Sequence, residues 1–240
     1  MLQSTKELTN YVLSAEDGEI GRCKDFLIDD RPWVVRYMVA DTGKWLPGRK
    51  VLLAPSSLGT PDWLSKYLPV QLSKAQIEQA PGLETDAPVS RQFEVEYHTF
   101  FGLPYYWSDP LVSEAISPSL PAPGRKEALP PDEHMRSTAE ITGYNVQATD
   151  GDIGKVKDFI LDESWMIRYL IIDIGNWISG REILLSPTWL GEVDWALGLI
   201  AVHMTREQME NSPAFNDSVA ISREYEDMLY KYYKQPKYWV

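Results

Sequence analysis

One segment of this chain, DGEIGRCKDFLID at residues 17–29, returns nearly unchanged as DGDIGKVKDFILD at residues 150–162. In both, an Asp-Gly turn comes before a run of alternating and then continuous apolar residues. That pattern is typical of a hairpin whose second strand enters a core. The match extends outward to Ser4 on one side and to Trp107 on the other. The chain is therefore one unit repeated, and we expect both copies to fold alike.

Each unit begins with β structure. Short segments rich in β-branched and aromatic residues, separated by Gly, Asp and Pro, predict a small antiparallel barrel or sandwich. Gly21 interrupts one strand, which favours a bulge or a close approach of two backbones there. In the first unit the predicted strands cover residues 11–15, 20–28, 34–41, 50–54 and 67–72.

Helical signals follow the strands in each unit. The pairs Ser73/Gln76 and Thr205/Gln208 have the spacing of a capping box, so each predicts the start of a short helix. Longer helices are predicted from Ser90 to Phe101 and, in the second unit, over residues 222–233. Both end in a tail that contains Tyr-Trp, which we expect to pack on the strands of its own or the other unit.

Three parts divide the chain: a first unit at 1–107, a linker at 108–135 and a second unit at 136–240. The linker is rich in proline and poor in large apolar residues, so it predicts extended chain without a core. A connection of this length lets the second unit pack on the first. We predict a pseudo-twofold arrangement, a dimer within one chain, with further oligomerisation left open.

Composition excludes several classes of function. The 240 residues carry 23 basic and 35 acidic side chains, a net charge of −12, which argues against nucleic acid or an anionic membrane as the main partner. Cys23 is the one cysteine. With no apolar leader and no bilayer-spanning run, the sequence predicts a soluble, cytoplasmic protein. Three histidines and no glycine-rich phosphate loop predict neither a metal nor a cofactor.

The residues also suggest a family. The repeated DG(E/D)IG–KDF segment, the Trp33–Tyr37 strand leading to Asp41, and the Val51–Pro55 segment resemble the PRC-barrel domain. That domain is the small β-barrel of the photosynthetic reaction-centre H subunit and of the ribosome maturation factor RimM. The resemblance covers 9–72 and 142–204, and the tails resemble those of bacterial tandem PRC-barrel proteins. It implies a mainly β fold of two tandem barrels, each followed by short helices, and a binding or adaptor role.

Charged residues recur at matched positions in the two units. They could line a binding site or supply an acid–base pair, or they could hold strand ends and turns together. We favour the structural interpretation, because a residue kept in both units serves something that both units do, and both units fold. The candidate binding residues are Arg36, Asp41 and Arg49 with their counterparts Arg168, Asp173 and Arg181; Asp25, Asp29, Asp158 and Asp162 recur with them.

Tryptophans are the other candidates. Trp45 and Trp177 lie in predicted turns, where exposed side chains would be anchors for a ligand or partner. Buried, they would cap the end of a barrel or pack the units together. We favour burial, either between the units or against the tails. Cys23 has Val156 as its counterpart, so we interpret it as a small buried apolar residue and not as a nucleophile.

These patterns contain no catalytic constellation. The leading hypothesis is a non-enzymatic scaffold, a protein-interaction adaptor built on two PRC barrels. A second hypothesis is binding of an apolar or quinone-like small molecule between the barrels, near Trp45 and Trp177. A third is an uncharacterised enzyme that uses Asp and Arg at the barrel mouth. We expect the partner to be another protein or a small molecule.

Overall fold

A computed structural model describes residues 2–9, 11–62, 64–84, 88–108, 134–175 and 180–239. We call residues 2–108 the first half and residues 134–239 the second half. The protein is mainly β, with two seven-stranded sheets and several short helices. None of the helices in the described ranges is long and apolar enough to cross a membrane.

The first half contains seven strands and three helices. They are β1 (Gln3–Ser4), α1 (Thr5–Leu8), β2 (Val12–Ala15), β3 (Gly18–Asp29), β4 (Val34–Asp41), β5 (Arg49–Leu53), β6 (Tyr67–Pro69), α2 (Lys74–Gln79), β7 (Leu83–Glu84) and α3 (Arg91–Phe101). Short 3₁₀ turns cover Pro55–Ser57 and Tyr106–Ser108.

The second half repeats most of this order. Its elements are β8 (Met135–Ser137), α4 (Thr138–Ile141), β9 (Asn145–Ala148), β10 (Gly151–Leu161), β11 (Ile167–Asp173), β12 (Glu182–Leu185), β13 (Leu190–Asp194), β14 (Leu199–Val202), α5 (Arg206–Glu210) and α6 (Arg223–Tyr233). A 3₁₀ turn covers Pro187–Trp189. Residues 109–133, most of the predicted linker, lie outside the described residues, and Met135 at its end already begins β8.

Five matched strands follow the same order in the two sheets, whereas β7 and β13 are added at opposite edges. The first runs β6-β2-β3-β4-β5-β7, and the second runs β12-β11-β10-β9-β14-β13. Over the described residues neither sheet closes into a hydrogen-bonded barrel, which is less than the sequence predicts. β7 pairs with the edge of β5 at Arg49 and Lys50. In the second sheet, Glu182 of β12 forms an isolated β-bridge with Phe215. These short segments occupy part of the edge that closure would need.

Each half gives its first strand to the other half. β1 pairs with β10 in the second sheet, and β8 pairs with β3 in the first. Further backbone hydrogen bonds join the halves: the N–H of Val35 donates to the carbonyl of Trp165 (2.8 Å), that of Ile167 donates to Trp33 (2.7 Å), and that of Asp30 donates to His134 (2.9 Å). The halves are therefore connected by reciprocal strand pairing.

The core is continuous between the halves. One cluster of buried apolar side chains includes Phe26 from the first half and Phe159 from the second, with Trp165 packed 6.3 Å from the ring of Phe26. Cys23 belongs to this cluster, and burial raises the pKa of its thiol, as expected for an inert side chain. A smaller cluster lies under α3, with Tyr97 at its centre.

Most of the predicted local structure is confirmed. β4 has the predicted bounds, and α3 follows its cap, Ser90. Both capping boxes form, through Ser73 and Thr205. Gly21 has φ +128°, and a Cβ there would overlap the carbonyl oxygen of Asp41, so the close backbone approach is real.

The sequence patterns miss the exchanged elements. β1 and β8 have only two and three residues, and α1 and α4 are single helical turns. Elements this short carry no hydrophobic period to detect, and their positions depend on contacts with the other half.

Candidate functional site

Predicted Arg–Asp pairs form at one end of each sheet. In the first half Arg36 Nη2 lies 3.0 Å from Asp29 Oδ2, and in the second half Arg168 Nε lies 2.6 Å from Asp162 Oδ2. Hydrogen bonds within its turn and the ion pair with Arg168 lower the pKa of Asp162, outweighing its burial. Both pairs join the end of one strand to the following strand across the turn between them, as the structural interpretation predicts.

A buried carboxylate lies next to the first of these pairs. Glu94, in the first turns of α3, is fully buried. Its Oε1 accepts hydrogen bonds from the hydroxyls of Tyr37 (3.2 Å) and Tyr106 (2.6 Å), and Arg91 Nη1 lies 2.8 Å from its Oε2. This network joins strand, helix and aromatic tail, so it fastens the C-terminal part of the half to the sheet.

The second half contains the same network. Glu226 in α6 is 2% exposed. It accepts hydrogen bonds from the hydroxyls of Tyr169 (2.7 Å) and Tyr238 (2.8 Å) and pairs with Arg223 at 2.9 Å. The tail therefore folds back on its own helix in both halves.

The tail tyrosines connect the partly buried Arg–Asp pairs to the buried carboxylates. The guanidinium carbon of Arg36 lies 3.7 Å from the ring centre of Tyr106, and that of Arg168 lies 4.1 Å from the ring of Tyr238. Stacking of this kind is a cation–π contact, and it holds the arginine in one orientation. Each cluster is thus assembled from two charge pairs with a tyrosine between them.

The tyrosines of these clusters remain protonated at neutral pH. Burial, reinforced by the negative charge of Glu94, raises the pKa of Tyr37 and Tyr106. In the second half burial and the hydrogen bond to Glu226 raise the pKa of Tyr238 to about 12, and that of Tyr169 rises as well. The protonated hydroxyls therefore donate to the carboxylates, an arrangement suited to holding structure. The Tyr37 hydroxyl shares its one proton between Glu94 and the neighbouring nitrogen of His98.

His98 distinguishes the first cluster from the second, where Tyr230 takes its place. His98 Nε2 lies 3.1 Å from the hydroxyl of Tyr37, and its Nδ1 lies 2.7 Å from the carbonyl oxygen of Pro104. Since a carbonyl only accepts, Nδ1 carries a proton and Nε2 is the atom that titrates. Burial lowers the pKa of His98, which favours the neutral ring.

Two further predicted arginines, Arg49 and Arg181, bind backbone carbonyls near the ends of short helices. Arg49 donates to the carbonyl oxygens of Ile77 (3.0 Å), Glu78 (2.6 Å) and Ala80 (2.6 Å) at the end of α2. Arg181 donates to Ser212, just after α5. Arg49 therefore satisfies carbonyls that the end of α2 leaves without partners, whereas Arg181 binds the loop that follows α5.

The predicted aspartates at the ends of β4 and β11 shape turns. Asp41 accepts from the N–H of Gly43 at 2.9 Å, and Asp173 accepts from that of Gly175 at 2.8 Å. Trp45, in the turn after Asp41, is half-buried and packs against the main core. Trp177 lies outside the described residues.

Asp158 holds the exchanged segment of the first half. It accepts hydrogen bonds from the hydroxyls of Ser4 and Thr5 (2.6 Å for Thr5) and from the N–H of Lys6 at 3.1 Å. The carboxylate therefore binds the start of α1, where helix N–H groups need acceptors.

Asp25 does the same for the exchanged segment of the second half. The hydroxyls of Ser137 and Thr138 donate to it at 2.6 and 2.8 Å, and the N–H of Ala139 donates at 3.0 Å. We call Asp25 and Asp158 the anchor carboxylates. Their recurrence in both halves follows from the reciprocal exchange.

A groove opens beside each anchor carboxylate. The second-half groove, of about 530 Å³, runs between the exchanged segment and the loop that precedes α6. The first-half groove, of about 340 Å³, lies against the turn after β4. Of the predicted site residues, Asp41 and Arg49 line the first-half groove, whereas Arg36 lies in the cluster around Glu94. The structure therefore does not gather the predicted residues into one site.

Sequence reasoning missed the two buried glutamates. A signal was present: both long helices begin with Ser-Arg-x-x-Glu, as at Ser90–Glu94 and Ser222–Glu226, and both end in a Tyr-Trp tail. No cluster of His, Cys, Asp or Glu suited to a metal occurs among the described residues.

Comparison with known proteins places one part of the chain. Residues 133–196 match the family model of the PRC-barrel domain, so the second half contains such a domain. A region of 98 residues is 32% identical to an uncharacterized protein of Deinococcus radiodurans, covering 40% of this chain and 34% of that relative. The match therefore spans about a third of the length of the curated relative.

Proposed function

We propose that this protein is a non-enzymatic binding scaffold made of two PRC-type units. One is the matched domain in the second half, and the other is formed by the first half. The shared strand order, the matched anchor carboxylates and the matched glutamate clusters support the duplication. The reciprocal exchange of β1 and β8 supports the pseudo-twofold arrangement.

The observation that carries this proposal is what the recurring charges do. Asp29 and Arg36 pair with one another, Arg49 closes a helix, and Asp25 binds backbone and hydroxyl donors. Each of these side chains thus has at least one partner within the fold. Catalysis would instead need an acid, base or nucleophile that faces a cavity and can reach a bound substrate.

The grooves favour a protein as the partner. Both are open, and each is bounded on one side by an exchanged segment. The junction of the halves, in contrast, is filled by the shared core around Phe26 and Trp165. An open groove beside a rigid sheet fits an extended or helical protein segment better than an enclosed small molecule.

The test compares the wild-type chain with a groove variant. A tagged chain is cross-linked in lysate, and captured proteins are quantified for wild type, for Val219→Glu in the second-half groove and for Leu197→Glu outside it. Val219 is 61% exposed and Leu197 74% exposed, so neither change disturbs the core. We expect a partner that is lost with Val219→Glu and retained with Leu197→Glu.

A native mass spectrum of the same preparation tests the alternative. The proposal predicts the mass of the chain alone or with a protein partner. A stoichiometric small mass that disappears on denaturation would contradict the adaptor role and favour small-molecule binding. Turnover of a substrate by the purified chain would contradict the non-enzymatic role.

A further inference from the structure

We propose that the second-half groove binds a basic, amphipathic protein segment, and that the first-half groove does not. This inference rests on the proposed scaffold function and names the chemistry of the partner. It follows from the shape and the charge of the two grooves.

The second-half groove has an apolar floor and an apolar wall. Ile160 and Ile171 form the floor and are each 2% exposed, so they are already fixed by the core. Phe215 and Val219 stand in the wall, and 61% of Val219 is exposed. A bound segment could cover this wall with apolar side chains of its own, which is a favourable contribution to binding.

The charges around this groove are mostly negative. Four acidic side chains line it, against two basic ones, Lys6 and Lys157. Lys157 forms an ion pair with Glu182, and the nearby charges of Glu182 and Asp217 raise its pKa. Of the remaining acidic residues, Asp158 is buried under the exchanged segment. Glu7 and Asp217 are exposed on the rim, together with the single lysine Lys6, so the rim keeps an excess of one negative charge.

The first-half groove has the opposite balance. Lys24, Arg49 and Lys50 line it, against the two acidic residues Asp25 and Asp41. Where the second half pairs a lysine with Glu182, the first half has Lys24 and Lys50. A basic segment is therefore attracted to one groove and repelled by the other.

The charge of the whole chain acts in the same direction. A net charge of −12 attracts positively charged partners over distances of about a Debye length, ~8 Å at physiological salt. This attraction brings a basic segment to the protein, and the apolar wall with its acidic rim selects where it stays.

The test uses the full chain and two short labelled peptides, one of alternating Lys and Leu and one of alternating Glu and Leu. Fluorescence anisotropy gives the Kd of each. We expect binding of the Lys-Leu peptide, weakened by salt, and binding of the Glu-Leu peptide at least about tenfold weaker.

Two charge-reversal variants locate the site. Glu7→Lys with Asp217→Lys changes the groove, whereas Glu16→Lys with Glu192→Lys changes the net charge equally at exposed positions outside it. We expect the groove pair to raise the Kd of the Lys-Leu peptide about tenfold more than the control pair. Val219→Ser, which keeps every charge, should raise it by a smaller factor. Thermal melts of each variant verify folding.

Three results would overturn the inference: equal binding of the two peptides, no binding of either, or equal losses in the groove and control pairs. The last would show attraction to the overall charge alone. If the peptides fail while a cellular partner is still lost with Val219→Glu, the scaffold function stands and only the chemistry of the partner is wrong.

Discussion

The two halves contain the same buried carboxylate network in different surroundings. Glu94 and Glu226 each bind two tyrosines and one arginine, but the side chain of Arg91 is 17% exposed while that of Arg223 is 52% exposed. His98 adds a titratable group in the first half alone. What the halves share holds each helix and tail to its sheet. The exposure of the arginine and the presence of His98 differ between the halves, so we expect them to set the stability of each half and its dependence on pH.

The grooves extend this comparison to the surface. Their floors come from matched strands, and their rims have opposite charge. The groups that hold each half together occur at matched positions in both halves, whereas the exposed charges differ. Differences between the halves are therefore better guides to binding than the residues they have in common.

The largest effect is expected for substitutions at the close approach of β3 and β4. In Gly21→Ala the new Cβ would overlap the Asp41 carbonyl, and φ +128° disfavours a side chain. We expect a loss of about 4 kcal/mol in the free energy of unfolding. Gly154→Ala meets only the overlap, with Asp173, and should lose about 2 kcal/mol. Urea denaturation measures both, and equal losses would contradict the added backbone strain at Gly21.

A smaller effect distinguishes the buried glutamates. Glu94→Gln and Glu226→Gln keep the shape of the side chain and remove its charge, so each takes away a negative charge that lies 2.8 or 2.9 Å from an arginine. Because Arg91 is more buried than Arg223, we expect a loss of about 3 kcal/mol for Glu94→Gln and about half of that for Glu226→Gln. The reverse order in denaturation experiments would show that exposure of the arginine does not set the cost.

The smallest effect is a pH dependence located in the first half. Burial, and then the charges of Arg36 and Arg91, lower the pKa of His98 below its usual 6.5, while the carbonyl of Pro104 opposes them. The unfolded chain then binds a proton more readily than the folded one. The contribution of His98 to the free energy of unfolding is therefore fully present above about pH 6.5, and it is lost as the pH falls below that value.

The control for this prediction is the residue of the other half. His98→Tyr introduces the side chain found at Tyr230 and removes the titrating group. Thermal midpoints recorded between neutral and mildly acidic pH should fall more steeply for wild type than for His98→Tyr. Identical slopes would assign the acid sensitivity to other groups.

Local patterns predicted the strands and helices because their causes are local. The capping box of Ser73 and Gln76, the β-branched run of β4 and the close approach at Gly21 all depend on neighbours in the sequence or on the adjacent strand. The resemblance to the PRC barrel anticipated the domain found over residues 133–196.

The exchange and the site could not be predicted in the same way. Asp25 and Asp158 were recognised as recurring, but which segment they bind depends on how the two halves meet. In the sequence, Glu94 is indistinguishable from an exposed helix residue. Only the fold brings Tyr37 from a strand and Tyr106 from the tail into hydrogen-bond contact with it. Such contacts join positions far apart in sequence, and a single sequence contains no period or spacing that reveals them.

The reciprocal exchange is the central claim, and hydrogen exchange by mass spectrometry tests it directly. Asp158→Ala removes the acceptor for Thr5 and for the N–H of Lys6, so the account predicts faster exchange over residues 3–8 at the start of the chain. Asp25→Ala should instead accelerate exchange over residues 135–141. If each substitution loosened the segment of its own half, the strands would not be exchanged and the account would be wrong.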